Sequence, residues 1–394
     1  MIRFHANGIY NAPRTHVDCP ILKQPVAGSY ISLLRTVLIT GYGLRSVQSI
    51  DIDANGIATV GCTNHGVLMP LIVMSLTGAI DTAYNRDWRV TKIVDSNTLQ
   101  MDMTEGLLRS TTVLGSSLTI KVAPHSWAER FTDNANNISV FQSTSLDGIN
   151  PYLKIIDNVT TSYAYATIKM IESLDGIGVN EVNVCPKTQA LYWVRDSYDN
   201  GKQYSDPNNV GWMLFVSDKL FYLVVHTQHT SYYNGNVLYA FGELNKFLDS
   251  DIGNCVIIGT TSPDYNIWGT LYDFSLNDNR ATVLRPINGD LLTSDTTLKI
   301  HTPLLVASPL GRGNLDTKQK DFVYHDTLYW TSSDNLSYIR GIIPGLGIFV
   351  NAISSPIHGT ILNLNNVNYM LLAIAANNYN DSGGHLMINL DSWS

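Results

Sequence analysis

The chain has 394 residues, with 25 Lys+Arg against 33 Asp+Glu and a formal net charge of −8. That length predicts two or three domains with ample core, and 10% aromatics with 21 Tyr exclude a disordered or collagen-like chain. Charged residues make up only 15%, against about 25% in an average globular protein, and the acidic balance removes the basic footprint of a nucleic-acid binder.

The surface must then be built largely from Asn, Ser, Thr, Gly and Tyr, which suits a chain that meets other proteins over much of its area. The opening residues, MIRFHANGIYNAPRTH, hold no apolar stretch of the kind a secretory signal needs. The longest apolar run, 68–76 (LMPLIVMSL), contains Pro70 and Ser75 and falls short of the roughly 18 residues of a membrane span. Cys19, Cys62, Cys185 and Cys255 lie far apart, with no C-x-x-C. They read as buried, reduced thiols rather than a zinc ribbon or a disulfide scaffold. The expected setting is a cytoplasm.

Residues 1–45 read as an arm and one short helix. Pro13, Pro20 and Pro25 break any regular element in the arm, and such an arm is expected to be tied down by a neighbouring subunit. Over 28–41 the spacing predicts a helix. Ser29 is the expected N-cap, Ile31, Leu34, Val37 and Leu38 form one apolar stripe, and Gly41 and Gly43 stop it.

From residue 46 the rhythm turns to period two. The segments 46–53 (SVQSIDID), 57–62 (IATVGC), 88–94 (WRVTKIV), 98–103 (TLQMDM) and 117–122 (SLTIKV) read as strands. Asn55-Gly56 predicts a two-residue hairpin turn, and 95–97 separates the next pair in the same manner. Residues 46–123 are thus expected to form a small β-domain. Residues 124–394 are expected to form a larger antiparallel β-domain, with strands at 163–170, 190–195, 212–216, 220–226, 237–243, 255–259, 321–330 and 369–375. Residues 217–219 make a short hairpin, and 293–320 reads as long loops available to partners. The fold class is therefore mainly β, of antiparallel sandwich or barrel type with one short N-terminal helix.

Motifs for chemistry are sparse. Asp51-Ile-Asp53-Ala-Asn55-Gly56 copies the start of a calcium loop, but Cys62 stands where the bidentate Glu belongs. His226 and His229 would face opposite sides of a strand, so one ion could not take both. Gly311-Arg-Gly313 lacks the third glycine of a dinucleotide fingerprint. Acid pairs such as Asp249 with Asp251, or Asp196 with Asp199, satisfy the minimum for glycoside hydrolysis, but each also fits a turn. No catalytic, cofactor or metal residue is assigned. Alternation places some of the aromatics crowded between 192 and 233 in the core, and four tyrosines stand in polar, Asn/Asp/Ser-rich surroundings. Tyr198, Tyr204, Tyr232 and Tyr233 are the candidate contact surface.

Several segments in order resemble a family of tailed-bacteriophage virion proteins. They are Gly28-Ser-Tyr-Ile-Ser-Leu-Leu with Thr40-Gly-Tyr-Gly43, then Asn64-His-Gly66, Asp87-Trp-Arg-Val-Thr91 and Asn97-Thr-Leu99. Lys121-Val-Ala-Pro-His-Ser-Trp127, the strand pair over 212–226 and Leu238-Tyr-Ala-Phe-Gly-Glu243 follow. Tyr338-Ile-Arg-Gly-Ile-Ile-Pro-Gly-Leu346 and Ile388-Asn-Leu-Asp-Ser-Trp393 close the series. The resemblance implies a non-enzymatic structural protein of the virion, in the tail, baseplate or neck region. Its partners would be other virion proteins and copies of itself, without nucleic acid, a membrane span or a cofactor. The alternatives are a host-attachment protein gripping cell-surface saccharide through the tyrosines, a capsid decoration protein, and a depolymerase of surface polysaccharide.

Overall fold

The computed structural model describes residues 2–8, 14–23, 26–105, 111–158, 164–186, 190–195, 198–199, 202–203, 210–229, 233–251, 253–260, 279–283, 297–301, 323–333, 336–350, 359–373 and 385–393. Among them the protein is mainly β, and every strand pairing is antiparallel. No helix among the described residues is long and apolar enough to cross a membrane.

The smaller sheet has eight strands. In spatial order they are Tyr42–Ser46, Thr119–Val122, Val73–Thr77, Asp87–Asp95, Thr98–Asp102, Ile57–Gly61, Ser49–Ile52 and Thr111–Thr112. Alternation sets its inner face: Ile50, Ile52, Ala58, Val60, Leu99, Met101, Ile120 and Val122 are all buried. The apolar run at 68–76 contributes the strand Val73–Thr77, a central member of this sheet.

The expected Asn55-Gly56 turn is one residue longer than its sequence signal. Ile52 pairs with Ala58, the Asp53 N–H donates to the Ile57 carbonyl at 3.0 Å, and only Gly56 takes positive φ, at 85°. This is the three-residue hairpin in which one left-handed glycine restores the ladder. The two-residue turn with both positions left-handed occurs instead at Asn365-Asn366, with φ of 52° and 65°, joining Ile361–Leu364 to Val367–Ala373.

The larger sheet is built from two ladders that meet at Cys255–Thr260. One meanders through Trp127–Asp133, Ile138–Ser143, Tyr152–Ile156, Tyr165–Ile171 and Leu191–Val194, where Tyr192 pairs with Thr260. The other runs Arg3–Asn7, Trp212–Val216, Leu220–His229, Tyr233–Glu243 and then Cys255–Thr260. Beyond it lie Asn279–Val283, Thr297–His301, Val323–Ser333, Leu336–Val350, His385–Asn389, Val367–Ala373 and Ile361–Leu364. The Ser/Thr-rich stretch 293–320, expected as loops, thus contains the strand Thr297–His301; its residues 302–320 lie outside the described set.

Trp212–Val216 and Cys255–Thr260 are buried at every residue, because each face meets a different core. On one face Trp212, Leu214, Val216, Phe221 and Leu223 join a cluster that includes the helix and the inner face of the smaller sheet. On the other, Met213, Phe215, Tyr222 and Val224 pack with Ile343, Leu346, Met370, Leu372 and Ile388. This double burial explains why these strands read as unbroken apolar runs rather than alternating ones.

The N-terminal segment differs from its sequence reading in two ways. The arm is tied to its own chain: Arg3–Asn7 pairs along Trp212–Val216, and Leu22 bridges to Val210. The helix has the predicted stripe, with Ile31, Leu34, Val37 and Leu38 buried, each contributing about 1.5–3 kcal/mol as an upper bound. However, Ser29 is not the cap. Gly28, left-handed at φ 77°, precedes the α-helix Ser29–Leu34, and the helix continues as a π-helical turn over Arg35–Thr40. Ser29 instead accepts the Lys23 N–H at 2.7 Å. The orphan N–H of Tyr30 is satisfied by Asp157 Oδ2 at 2.8 Å, a side chain 127 residues away.

Candidate interaction surface

Three connections lie along one rim of the larger sheet, and side-chain bonds lock the first two of them to each other and to Glu243. The three are residues 144–151, the hairpin turn 217–219 and the described residues 244–251 and 253–254. Glu243, at the end of its strand, is buried. Its Oε1 accepts the Asn150 N–H at 2.8 Å, and Gly148 passes so close that a Cβ there would stand 2.4 Å from the same oxygen. Burial pushes the Glu243 carboxyl up, countered by the Asn150 N–H and by Lys219.

The turn 217–219 supplies the second tie. Lys219 donates from Nζ to the Asp147 carbonyl at 3.2 Å and faces the Asp147 carboxylate at 3.6 Å. Ser143 Oγ donates to the Asp218 carbonyl. The third connection is held by the pairing of its short strand Asn245–Lys246 with Ile342 and Gly341 and by bonds of its own. Leu244 N–H donates to Asn254 O at 2.8 Å, Lys246 Nζ to Asp249 O at 2.7 Å, and Gly253 N–H to Asp251 Oδ1 at 3.1 Å.

With their backbones fixed, these loops present large apolar side chains to solvent. Leu146 is 100% exposed, Phe247 54% and Leu248 52%, and Ile149 is also exposed. The buried Glu243 carboxylate anchors the loop that carries Leu146 and Ile149, while Phe247 and Leu248 follow the short strand Asn245–Lys246. Such a rim offers burial energy without ordering cost, because the loops are already held. These four residues lie within the turn-rich strings TSLDGINP and NKFLDSD. The available signal was an apolar pair inside a Ser/Asp/Asn-rich turn, where a solvated loop would carry none.

The tyrosine surface is placed only in part. Tyr198 lies in the two-residue strand Tyr198–Asp199, paired with Lys202–Gln203, and Tyr233 opens the strand Tyr233–Glu243 opposite His229. Tyr204 and Tyr232 lie outside the described residues. Of the other aromatics between 192 and 233, Trp193, Trp212, Phe215, Phe221 and Tyr222 are buried and Tyr192 is half-buried, with Trp193 stacked on Tyr239 at 5.8 Å.

The other singled-out motifs are occupied by structure. Asp53 Oδ1 accepts the N–H groups of Asn55 and Ile57, each at 2.8 Å, and Asp51 accepts the Thr112 hydroxyl at 2.7 Å. Positions 226 and 229 lie on a strand without a bulge, hence on opposite faces. Asp251 is buried in its own turn, while Asp196 and the 311–313 segment lie outside the described residues. All four cysteines are buried and form no disulfide with one another. Among the described residues no group of three metal-ligating side chains converges.

No protein-family model matches the chain, and no curated protein matches it. Among solved structures, the phage phi92 endosialidase is similar at a TM-score of 0.19 and 9% identity, over 89% of this chain and 52% of that one. The chain therefore spans about half the length of that structure. A score this low assigns neither a shared fold nor a shared activity.

Proposed function

We propose that this protein is a structural component of a tailed-phage virion, in the tail, baseplate or neck region, and that it works by association with other virion proteins and with copies of itself. The observation that carries the reading is the locked rim. Leu146, Ile149, Phe247 and Leu248 stand in solvent, the first two on a loop pinned by Glu243 and Lys219 and the others beside the strand Asn245–Lys246, which pairs with Gly341 and Ile342. A monomer with so little charge gains nothing from exposing them, whereas an assembled subunit buries them in a neighbour. The ordered resemblance along the chain supports the same reading and supplies the setting. No catalytic step is part of it.

The test is incorporation. Virions purified from infected cells are probed with antibody to this chain, and recombinant protein is sized by light scattering. Presence in particles together with self-association or binding to another virion protein is expected. A stable monomer absent from purified virions overturns the proposal.

A further inference from the structure

His5, on the strand Arg3–Asn7, touches two other parts of the molecule through its two ring nitrogens. Nε2 lies 3.0 Å from Nε2 of His125, in the connection between the two sheets, and Nδ1 lies 3.0 Å from the Tyr42 hydroxyl, at the start of the smaller sheet. All three side chains are buried. The backbone N–H of His125 donates to Leu38 O at 2.9 Å, so the helical segment meets the same connection. One ring thus joins the N-terminal strand, the smaller sheet and the connector.

The proton count restricts this contact. In the neutral pair, one Nε2 carries a hydrogen and the other accepts it, and the proton between His5 and Tyr42 follows suit. A first added proton keeps the hydrogen bonds but leaves a charge in a buried seam. A second sets two N–H groups head to head across 3.0 Å, which no rearrangement of protons relieves.

The surroundings offer little compensation. Arg3 bears on both rings, and the amino terminus on His125, each opposing protonation. The carboxylate of Asp87 is engaged with Arg3 at 2.5 Å, and Asp218 also faces Arg3. Around Tyr42 lie the His16 ring, edge-on at 5.7 Å, and the Cys19 thiol. Asp18, Arg45 and His65 act on His16. Among the described residues, the hydrogen bonds of the two rings run to each other and to the Tyr42 hydroxyl, with no carboxylate.

We propose that the His5–His125 contact is an acid-sensitive latch: proton uptake by the pair releases the strand Arg3–Asn7 from the seam while the two sheets stay folded. The released strand exposes its partner edge along Trp212–Val216. In the open state both rings regain water and take protons together, which makes opening steep in pH. The rings' displacement toward acid when buried, to about 3 for His5, agrees with this direction.

Amide hydrogen exchange along a pH series, corrected for intrinsic rate, is the test, with far-ultraviolet circular dichroism recorded in parallel. Protection over residues 3–7 and 212–216 is expected to fall at a pH where the dichroism is unchanged. The variants His5→Gln and His125→Gln, which keep a hydrogen-bonding side chain, are expected to move that loss by about one pH unit or more toward acid. Loss of protection only together with the dichroism, or an unshifted loss in both variants, overturns the latch. Should the variants fail to fold, histidine ring resonances in the unaltered protein decide. Joint titration of His5 and His125 at the pH of lost protection supports the latch. Separate titration with protection intact overturns it.

Discussion

Asp157 and Arg195 meet at 2.7 Å with no solvent exposure on either side chain. The contact is an ion pair rather than an aligned hydrogen bond, since neither Asp157 Oδ1 nor Arg195 Nη1 has a hydrogen-bond partner. The pair's other atoms hold the N-terminal segment. Asp157 Oδ2 caps Tyr30, while Arg195 donates from Nε to Lys23 O at 3.1 Å and from Nη2 to Val26 O at 2.9 Å. The guanidinium also lies 5.1 Å from the Tyr30 ring. Two residues of the large sheet region therefore fix the path of a proline-rich arm that has no regular structure of its own between residues 14 and 23.

Removing one partner leaves the other buried without its counter-charge. Asp157→Asn is expected to cost about 3–5 kcal/mol, and Arg195→Met a similar amount. In the double variant the penalty is expected to be smaller than the sum of the two, because no isolated charge remains. Denaturant unfolding of the three variants checks this; additive losses would show that the pair is not energetically coupled.

The extent to which this region was legible follows from the range of each signal. The stripe Ile31, Leu34, Val37 and Leu38 could be read because helical periodicity is local. The cap could not, because Asp157 lies 127 residues beyond Tyr30 and no local pattern links them. For the same reason Ser29 looked like the cap, whereas its hydroxyl serves Lys23. Strands within period-two segments were readable, but Trp127–Asp133, Ile138–Ser143 and Tyr152–Ile156 were not. Their alternation is blurred by buried polar residues such as Ser139, Ser143 and Lys154. Of the candidate tyrosines, only the backbones of Tyr198 and Tyr233 are described, and the exposed apolar rim was hidden in turn-like sequence.

Acid stability follows from three histidines. Burial pushes His5 down to about 3, His16 to about 4, and His125 well below the ordinary value of 6.5. Above pH 6.5 all three are neutral folded and unfolded, and they contribute no pH dependence. Below it the unfolded chain takes up protons that the folded chain refuses, so stability falls as pH drops from 6.5 toward 4. The slope approaches about 1.4 kcal/mol per pH unit for each histidine. Urea midpoints between pH 7 and 4 measure it, and a midpoint independent of pH over that range would contradict the burial of these rings. His16→Gln is expected to lower the slope by about one proton's worth.

Gly345 has no substitute in the bulge Pro344-Gly345-Leu346. Across it the pairing of Leu336–Val350 passes from Thr327↔Ile343 to Asp326↔Gly347. Its φ is 66°, and a Cβ there would fall 2.0 Å from the Trp393 ring. That ring is held by its Nε1–H to Asn389 O at 2.8 Å and packs on Tyr222, whose hydroxyl donates to Pro344 O at 2.7 Å. Gly345→Ala is expected to cost about 1–3 kcal/mol from overpacking, in addition to the left-handed backbone. In a Trp393→Ala background the crowding disappears and only the backbone cost, about 1–2 kcal/mol, should remain. Thermal or urea unfolding of the four proteins separates the two contributions.

The rim residues give the prediction that bears on assembly. Leu146→Asp and Phe247→Asp alter side chains that stand in solvent and accept none of the hydrogen bonds holding their segments, which run through Glu243, Lys219 and Asn150 for the first and through Lys246, Asp249 and Asn254 for the second. Stability of the isolated chain is therefore expected to change by no more than about 0.5 kcal/mol. If a neighbour covers the rim, the same substitutions bury a carboxylate against apolar surface, and association is expected to weaken by at least about tenfold, or about 1.4 kcal/mol. Glu243→Gln provides the complementary case. It keeps an acceptor for the Asn150 N–H but loses the attraction to Lys219, so association should weaken far less than in the aspartate variants. Light scattering across a concentration series, paired with the fraction of each variant recovered in virions, reads both quantities. Equal incorporation of Leu146→Asp, Phe247→Asp and the unaltered chain would show that this rim faces solvent in the particle.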